Sequence, residues 1–495
     1  MKKILQFLFI LLYIGACTVP LFGMLLGYKN INTEKRPLAP KPVLFNAKGF
    51  NDSFPEDAEA YLSDHFAFKP QMVTADAVMK KTLFGESVST QVIIGKDGYL
   101  FFEPTLKDYL KVSVLSDNEI YRIAKTLQLQ KEYLARRGVS FIFTVAPNKA
   151  SIYPEYMPDR YLPVGELNNY EKLCLQLDSI SFPYLDLHSV LRSGEEQLYH
   201  KLDSHWNNLG ALTAYRAIIG EIVKVNPEFS FPDYSDATYT PQNIWEGDLS
   251  QMLYPALSVK DEQLVYDIEK NYSSARPIRS MEDLLISTTT ESGSSDLLMF
   301  RDSFANALIP FISNGFASVT YSRAIPYEYT LLTDDTDVVL FEIVERNIEN
   351  ILQTAPIIPS FTVEPIEQVK ESEIELNIII NNTDNGTRIV GMAEPKDYDV
   401  SQNYDIYLRL TGDAGEFTLV TFPIYETDYL SKEEDKEEDK EEDKAKANAA
   451  FSARLDESSL PAGTYTVEVI VCGDGQPVSC KSPESTVVIS GFWAS

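Results

Sequence analysis

A histidine two places after an aspartate, and a serine 98 residues further on, are the groups of this chain that could together activate a hydroxyl. The chain has only 4 histidines, and one of them sits in Leu202-Asp203-Ser204-His205-Trp206; the serine sits in Arg301-Asp302-Ser303-Phe304. An acid, an imidazole and a hydroxyl are the parts of an activated serine nucleophile. Asp203 would accept the Nδ1–H of His205, leaving Nε2 free as a base, and would stabilise the imidazolium formed when that base takes a proton. Ser303 falls where a short apolar run gives way to a helical pattern, so its hydroxyl would face unpaired backbone N–H groups and the positive end of a helix dipole. The N–H of Ser303 or Phe304 would then stabilise a tetrahedral oxyanion. Each residue also has a plainer reading: Asp203, and Ser303 or Asp302, as helix N-caps, and His205 as a partly buried histidine at a helix start.

The elements that must position these groups alternate between helix and strand. Asp117 can cap a helix with apolar positions Ile120, Ile123, Ala124, Leu127 and Leu134, ending at Gly138. Val139 to Ala146 and Phe182 to Leu187 read as strands, and a helix opened by Asp203 runs through Ala214, Ile218, Ile219 and Ile222. Leu297 to Phe300 is a short buried strand followed by Ser303 and a helix through Ala307, Leu308 and Phe311, and Val338 to Val344 is a further strand. This alternation over 54–358 predicts an α/β domain with a mostly parallel sheet flanked by helices, its chemistry carried by loops at one edge.

Beyond 359 the character changes. Glu373 to Ile380, Tyr404 to Leu410, Phe417 to Thr421, Thr464 to Val471 and Ser485 to Ile489 read as strands, with turns such as Asn385-Gly386. Residues 359–495 are therefore expected to form an all-β, sandwich-like module. Inside it, 432–444 is an acidic insertion built on a Glu-Glu-Asp-Lys repeat, without an apolar face to bury.

The formal charge of −30 argues against nucleic acid as a partner, because phosphate contacts need a basic face. Ile4 to Tyr28 is almost wholly apolar and uncharged, preceded by Lys2 and Lys3. That length and charge pattern predicts a single-pass membrane anchor over 1–28 with the bulk of the chain outside the cytoplasm, and 29–53, dotted with Pro37, Pro40 and Pro42, as a stalk. A cleaved signal peptide, or lipidation at Cys17 after Ile14-Gly15-Ala16, are the other readings. Cys472 and Cys480 flank a turn-forming stretch and are spaced for a bridge or for two free thiols; no Cys or His spacing points to a metal.

Asp203-Ser204-His205-Trp206-Asn207 with Gly210 resembles the Asp-x-His-Trp signature of AlgX/AlgJ-type alginate O-acetyltransferases and related DHHW proteins, within the SGNH-hydrolase-like superfamily. Further segments resemble that family in order: Ile94 to Phe101, Ala146-Pro147-Asn148-Lys149 with Tyr153-Pro154, Gly247-Asp248-Leu249, Arg301 to Phe304, and Phe341 to Asn347. The resemblance implies Ser303 as nucleophile, His205 as general base and Asp203 as its orienter. It also implies transfer of acetyl groups onto an exported polysaccharide at a bacterial cell membrane, without a resident cofactor, the acetyl group being delivered by a membrane-bound O-acyltransferase partner. The order Asp, His, Ser and the absence of a Gly-x-Ser-x-Gly elbow separate the chain from the α/β-hydrolases. For oxyanion or substrate contacts the candidates are Asn148, Lys149, Asn207, Arg301, Phe304 and Asn306, with Trp206 as a sugar platform or a core residue. A carbohydrate acetyl esterase using the same three residues, and a non-catalytic glycan-binding or assembly protein, are the alternatives.

Overall fold

The computed structural model describes residues 2–30, 38–46, 49–84, 89–112, 114–194, 196–372, 374–383, 386–395, 403–424, 449–456, 459–473 and 476–489. The acidic insertion 432–444 lies outside the described residues. Lys2–Leu25 forms a 24-residue helix, α1. Among the described residues no helix is long and apolar enough to cross a membrane, and not every side chain of α1 belongs to that set.

The catalytic-size unit is organised by a six-stranded sheet. Its main strands are β1 (Ser140–Ala146), β2 (Leu285–Thr289), β3 (Asp296–Phe300), β4 (Ser318–Ser322) and β5 (Thr336–Val344). The spatial order is β1-β5-β3-β4-β2, completed by an edge pair at Ser273–Ser274. β1, β5, β3 and β4 run parallel; β2 pairs antiparallel with β4, and the edge strand pairs antiparallel with β2. Both faces of the parallel part are covered. Phe141, Phe143, Val145, Leu298, Phe300, Val339, Phe341 and Ile343 point into one core, while Ile142, Ala146, Leu297, Met299, Val338, Leu340 and Val344 point into the other. That strict period of two inside continuous apolar runs is what a sheet buried on both sides requires.

Helices α2 (Asp117–Ala135) and α3 (Asn169–Ser179) cover the first face; α4 (Leu187–Arg192), α5 (Asn208–Val225) and α6 (Ile309–Ser313) cover the second. α2 starts with a capping box in which Ser116 and Glu119 satisfy each other's backbone N–H, so Ser116, not Asp117, is its cap. Phe182 to Leu187 is not a strand: Leu185 makes only an isolated parallel bridge to Thr144, and the chain then turns into α4. α5 begins later than expected, with Asn207 as its cap through a 2.9 Å bond from the Gly210 N–H; Asp203 is left outside the helix.

The C-terminal module pairs a six-stranded sheet with a four-stranded one, whose inner faces share a core of Ile389, Leu408, Leu419, Phe451, Val469 and Val487 among others. It is docked on α2. Arg122, 3% exposed, donates to the carbonyls of Ile424 (2.7 Å) and Ala450 (2.9 Å), and Lys125 meets Asp405 at 2.5 Å. Cys472 and Cys480 are free thiols: Val469 pairs with Cys480 and Val471 with Val478, so the two cysteines are offset along adjacent strands.

Candidate active site

Ser303 lies just past the C-terminal end of β3, the central strand, where the loops of a parallel sheet converge. Its φ/ψ of −71°/−23° opens a short 3₁₀ turn, Phe304–Ala307, yet its side chain makes no capping bond. Instead the hydroxyl faces His205, with Oγ 2.9 Å from Nε2. Asp302 does the capping: its Oδ1 accepts the Phe304 N–H at 2.9 Å and its Oδ2 accepts the Val344 N–H at the end of β5 at 2.6 Å.

His205 sits in the loop before α5, which is closed by an antiparallel bridge between Tyr199 and Trp206. Its Nδ1 is 2.7 Å from Asp203 Oδ1, which also accepts the His205 backbone N–H at 2.9 Å. The other oxygen, Oδ2, accepts from Trp245 Nε1 and from the Asp248 N–H, each at 3.0 Å. Asp203 is 3% exposed. Burial opposes its ionisation, but the His205 charge and these four donors outweigh it and hold the carboxyl well below the usual range. For His205 burial disfavours the imidazolium, and the Asp203 charge and hydrogen bond more than reverse this, so its pKa is raised.

A second carboxylate stands beside the pair. Asp248 Oδ2 is 3.6 Å from His205 Nδ1 and accepts the Ser204 hydroxyl at 2.6 Å, while Oδ1 accepts the N–H groups of Ser204 (2.8 Å) and Leu249 (2.7 Å). Burial, then the Asp203 charge, raises the Asp248 pKa. Asp203, His205 and Asp248 bring three metal-type donor atoms within 4.8 Å of one another. Every carboxylate oxygen among them already accepts an N–H or O–H, so the group has the chemistry of a hydrogen-bonded network around an imidazole.

The remaining candidates divide differently from their expected roles. Lys149 is buried, and its Nζ donates to the carbonyls of Leu100 (2.8 Å), Lys201 (2.8 Å) and Asp203 (3.0 Å); burial pushes its pKa down to about 7. It anchors the Asp203 loop. Trp206, 1% exposed, is a core residue whose Nε1 donates to the Phe304 carbonyl at 2.9 Å. Arg301 donates to Asn306 Oδ1 (2.6 Å) and to the carbonyls of Met281, Asp283 and Asp302. Asn306 in turn donates to Glu282 at 2.8 Å. Asn148 gives its N–H to Glu345 and its amide to Asp108, and Asn207 bonds Gln197 and Gly210. The Phe304 N–H is taken by Asp302; the Ser303 N–H makes no hydrogen bond among the described residues. Asp248 lay inside a segment quoted from the sequence without a role of its own, because what qualifies it is proximity to His205, which no local pattern encodes.

Residues 92–291 match the family model of the SGNH hydrolase-like domain of the acetyltransferase AlgX. Among curated relatives, a Pseudomonas aeruginosa protein named "Probable alginate O-acetylase AlgJ" is 28% identical over 40% of this chain and 50% of its own length. Its namesake from Pseudomonas syringae is 23% identical over 51% of this chain and 61% of its own. The chain thus spans about half to three fifths of the length of the curated relatives it matches. The solved O-acetyltransferase domain of Pseudomonas putida AlgJ is similar at 16% identity, covering 52% of this chain and 92% of that one, with a TM-score of 0.35. The family match takes in Asp203, His205 and Asp248 and stops before Ser303, which the next strand of the sheet supplies. Over residues 92–291 the chain is thus similar to the SGNH hydrolase-like domain of AlgX, and over two fifths to half of its length it is similar to proteins named AlgJ.

Proposed function

We propose that the protein is an O-acetyltransferase that moves acetyl groups onto the hydroxyls of an exported polysaccharide through Ser303, His205 and Asp203. The observation that carries this is the 2.9 Å contact between Ser303 Oγ and His205 Nε2, made by a serine that leaves the capping of its own turn to Asp302. In the first half-reaction His205 Nε2 takes the Ser303 proton as Oγ attacks the donor's acetyl carbonyl; the imidazolium returns that proton to the leaving group, and acetyl-Ser303 remains. The Ser303 N–H, which has no other acceptor among the described residues, is available to the oxyanion. In the second half-reaction His205 deprotonates a sugar hydroxyl, the alkoxide attacks the serine ester, and His205 reprotonates Ser303 as the acetylated sugar leaves. Asp203 holds Nδ1–H throughout, so that Nε2 is the nitrogen that accepts.

The relatives' names supply alginate as the acceptor, and the resemblance supplies a membrane-bound O-acyltransferase as the partner that delivers acetyl. Anchoring by α1 is part of the same proposal. It is supported by a 24-residue helix without charge beyond Lys3, with Ile4, Phe9 and Phe22 exposed at 66%, 71% and 63%. The purified protein, given a chromogenic acetyl ester and an oligosaccharide panel, is expected to yield acetylated sugar. Free acetate alone, with every acceptor left unmodified, identifies an esterase. A Ser303→Ala variant that keeps wild-type transfer would remove the proposed nucleophile.

A further inference from the structure

Ser204, the residue between Asp203 and His205, is buried, and its hydroxyl stands beside the imidazole of His205. Its Oγ is 2.6 Å from Asp248 Oδ2 and 3.2 Å from His205 Nδ1. A hydroxyl has one proton to give. The shorter contact, to a carboxylate, takes it, so Oγ turns a lone pair toward Nδ1 and acts there as an acceptor. His205 Nδ1 therefore faces two acceptors for the same proton, Asp203 Oδ1 at 2.7 Å and Ser204 Oγ at 3.2 Å. Asp248 Oδ2 itself, at 3.6 Å, is beyond hydrogen-bond reach of Nδ1 and acts on the ring through Ser204. Asp248 is held on this line. Its Oδ1 accepts the N–H groups of Ser204 (2.8 Å) and Leu249 (2.7 Å), and its own N–H donates to Asp203 Oδ2 at 3.0 Å. Gly247 before it presses on the Asp203 loop, where a Cβ would lie 2.1 Å from the Leu202 carbonyl oxygen. That same oxygen accepts the Ser250 N–H at 3.1 Å, so the segment is clamped to the loop on both sides of Asp248.

We propose that Asp248 is a positioning residue for the acyl transfer: by taking the Ser204 proton it fixes Ser204 Oγ as an acceptor, which holds the ring proton on His205 Nδ1 and leaves Nε2 free for Ser303. This rests on the acyl-transfer reading given above. An asparagine at 248 has the opposite effect. Its amide oxygen stays on the two N–H groups that Oδ1 serves, its amide nitrogen donates to Ser204 Oγ, and the Ser204 proton swings to the remaining neighbour, His205 Nδ1. A donor at Nδ1 favours the tautomer with its proton on Nε2, which cannot take one from Ser303. Deleting the Ser204 hydroxyl removes that donor, so the second substitution repairs the first.

The test compares wild type, S204A, D248N and D248N/S204A at a pH where His205 is neutral. Nitrogen NMR of labelled histidine tells a protonated ring nitrogen from a bare one, and kcat is read from cleavage of a chromogenic acetyl ester. Wild type and S204A are expected to carry the ring proton on Nδ1 and to differ by no more than a few-fold in kcat. D248N is expected to move the proton to Nε2 and to lose at least ~10-fold in kcat, about 1.4 kcal/mol. D248N/S204A is expected to return the proton to Nδ1 and to regain part of the rate. An Nδ1–H tautomer in D248N, a double variant no better than D248N, or an S204A as impaired as D248N overturns the proposal. If D248N does not fold, D248A, which equally leaves the Ser204 proton without its carboxylate, is compared with D248A/S204A in its place. Separately, wild-type protein is treated with the ester and its acyl group mapped. With acetyl on Ser303, an unmoved tautomer in D248N sinks the role of Asp248 and leaves the acyl-transfer reading standing; no acyl-Ser303 sinks the reading itself.

Discussion

Replacing Asp203 by asparagine tests the site most directly, because the geometry says what the substitution must disrupt. The two carboxylate oxygens divide four N–H donors between them: His205 Nδ1 and backbone N on Oδ1, Trp245 Nε1 and the Asp248 backbone N on Oδ2. An amide keeps one acceptor oxygen and turns the other position into a donor, so two of the four bonds are lost in either orientation. If the amide nitrogen faces Trp245 and Asp248, two buried donors lose their acceptor. If it faces His205, Nδ1 must become an acceptor, Nε2 carries the proton, and the base can no longer receive one from Ser303. Hydrogen bonds to a charged group are worth about 1.5–3 kcal/mol each, so two of them amount to about 3–6 kcal/mol. At about 1.4 kcal/mol per factor of ten, kcat/KM for an acetyl ester should fall about 10²–10⁴-fold.

The pH dependence supplies a second readout with a defined sign. Burial alone would favour neutral His205; the Asp203 charge and hydrogen bond reverse this and raise its pKa. A base works only when neutral, so in the wild type the acid limb of the rate profile lies above that of an ordinary histidine. Removing the carboxylate lowers the His205 pKa and moves the acid limb of D203N to lower pH, even as the plateau drops. Initial rates of ester cleavage across the pH range, with circular dichroism to confirm the fold, measure both effects. A D203N enzyme within a few-fold of wild type, with its acid limb unmoved, would refute the role given to Asp203.

Two further substitutions probe the frame. Burial first, and then the Glu345 charge, raises the Asp108 pKa to about 7. The folded state therefore holds more protons than the unfolded one between about pH 4 and 7, and stability falls as pH rises through that window. D108N, which still accepts from Asn148, should stabilise the protein by about 1–2 kcal/mol at pH 8, below the limit of about 4 kcal/mol set by three units of separation, and by nothing at pH 4. Urea melts showing the same difference at both pH values would sink that explanation. R122M leaves the Ile424 and Ala450 carbonyls without their donor, at about 1–3 kcal/mol each. The C-terminal module should then unfold in its own, earlier transition by calorimetry, and a single unshifted transition would show that Arg122 does not hold it.

What could be read from the sequence, and what could not, follows from how local each signal is. β1, β3 and β5 were legible because a strand buried on both faces reads as a near-continuous apolar run. β4, Ser318-Val-Thr-Tyr-Ser, and β2, Leu285-Ile-Ser-Thr-Thr, carry too few apolar residues to stand out, and their partners define them. Asp203 was open to a capping role because an aspartate before a helix looks the same whether it turns to backbone N–H groups or to an imidazole. Asn148 and Asn306 have the residue type of an oxyanion donor; Asp108, 40 residues away, takes the Asn148 side-chain amide, and Glu282, 24 residues away, that of Asn306.

The two signature segments act as one device. His205 Nε2 meets Ser303 Oγ at 2.9 Å, and one residue on in each segment Trp206 Nε1 meets the Phe304 carbonyl, also at 2.9 Å. The second bond is buried and joins the same two loops, so the distance between His205 and Ser303 is set by a neighbouring contact inside the core. Asp302 adds the third constraint by tying the Ser303 turn to β5 through the Val344 N–H. Its backbone N–H donates to Glu342, 1% exposed, whose pKa is pushed far above the usual range by burial and then by the Asp302 charge. A neutral Glu342 lets two carboxyl groups sit together without repulsion at the end of the central strands. Ser303, without a strained elbow, is thus held 2.9 Å from His205 Nε2 by three hydrogen bonds made by its immediate neighbours in sequence.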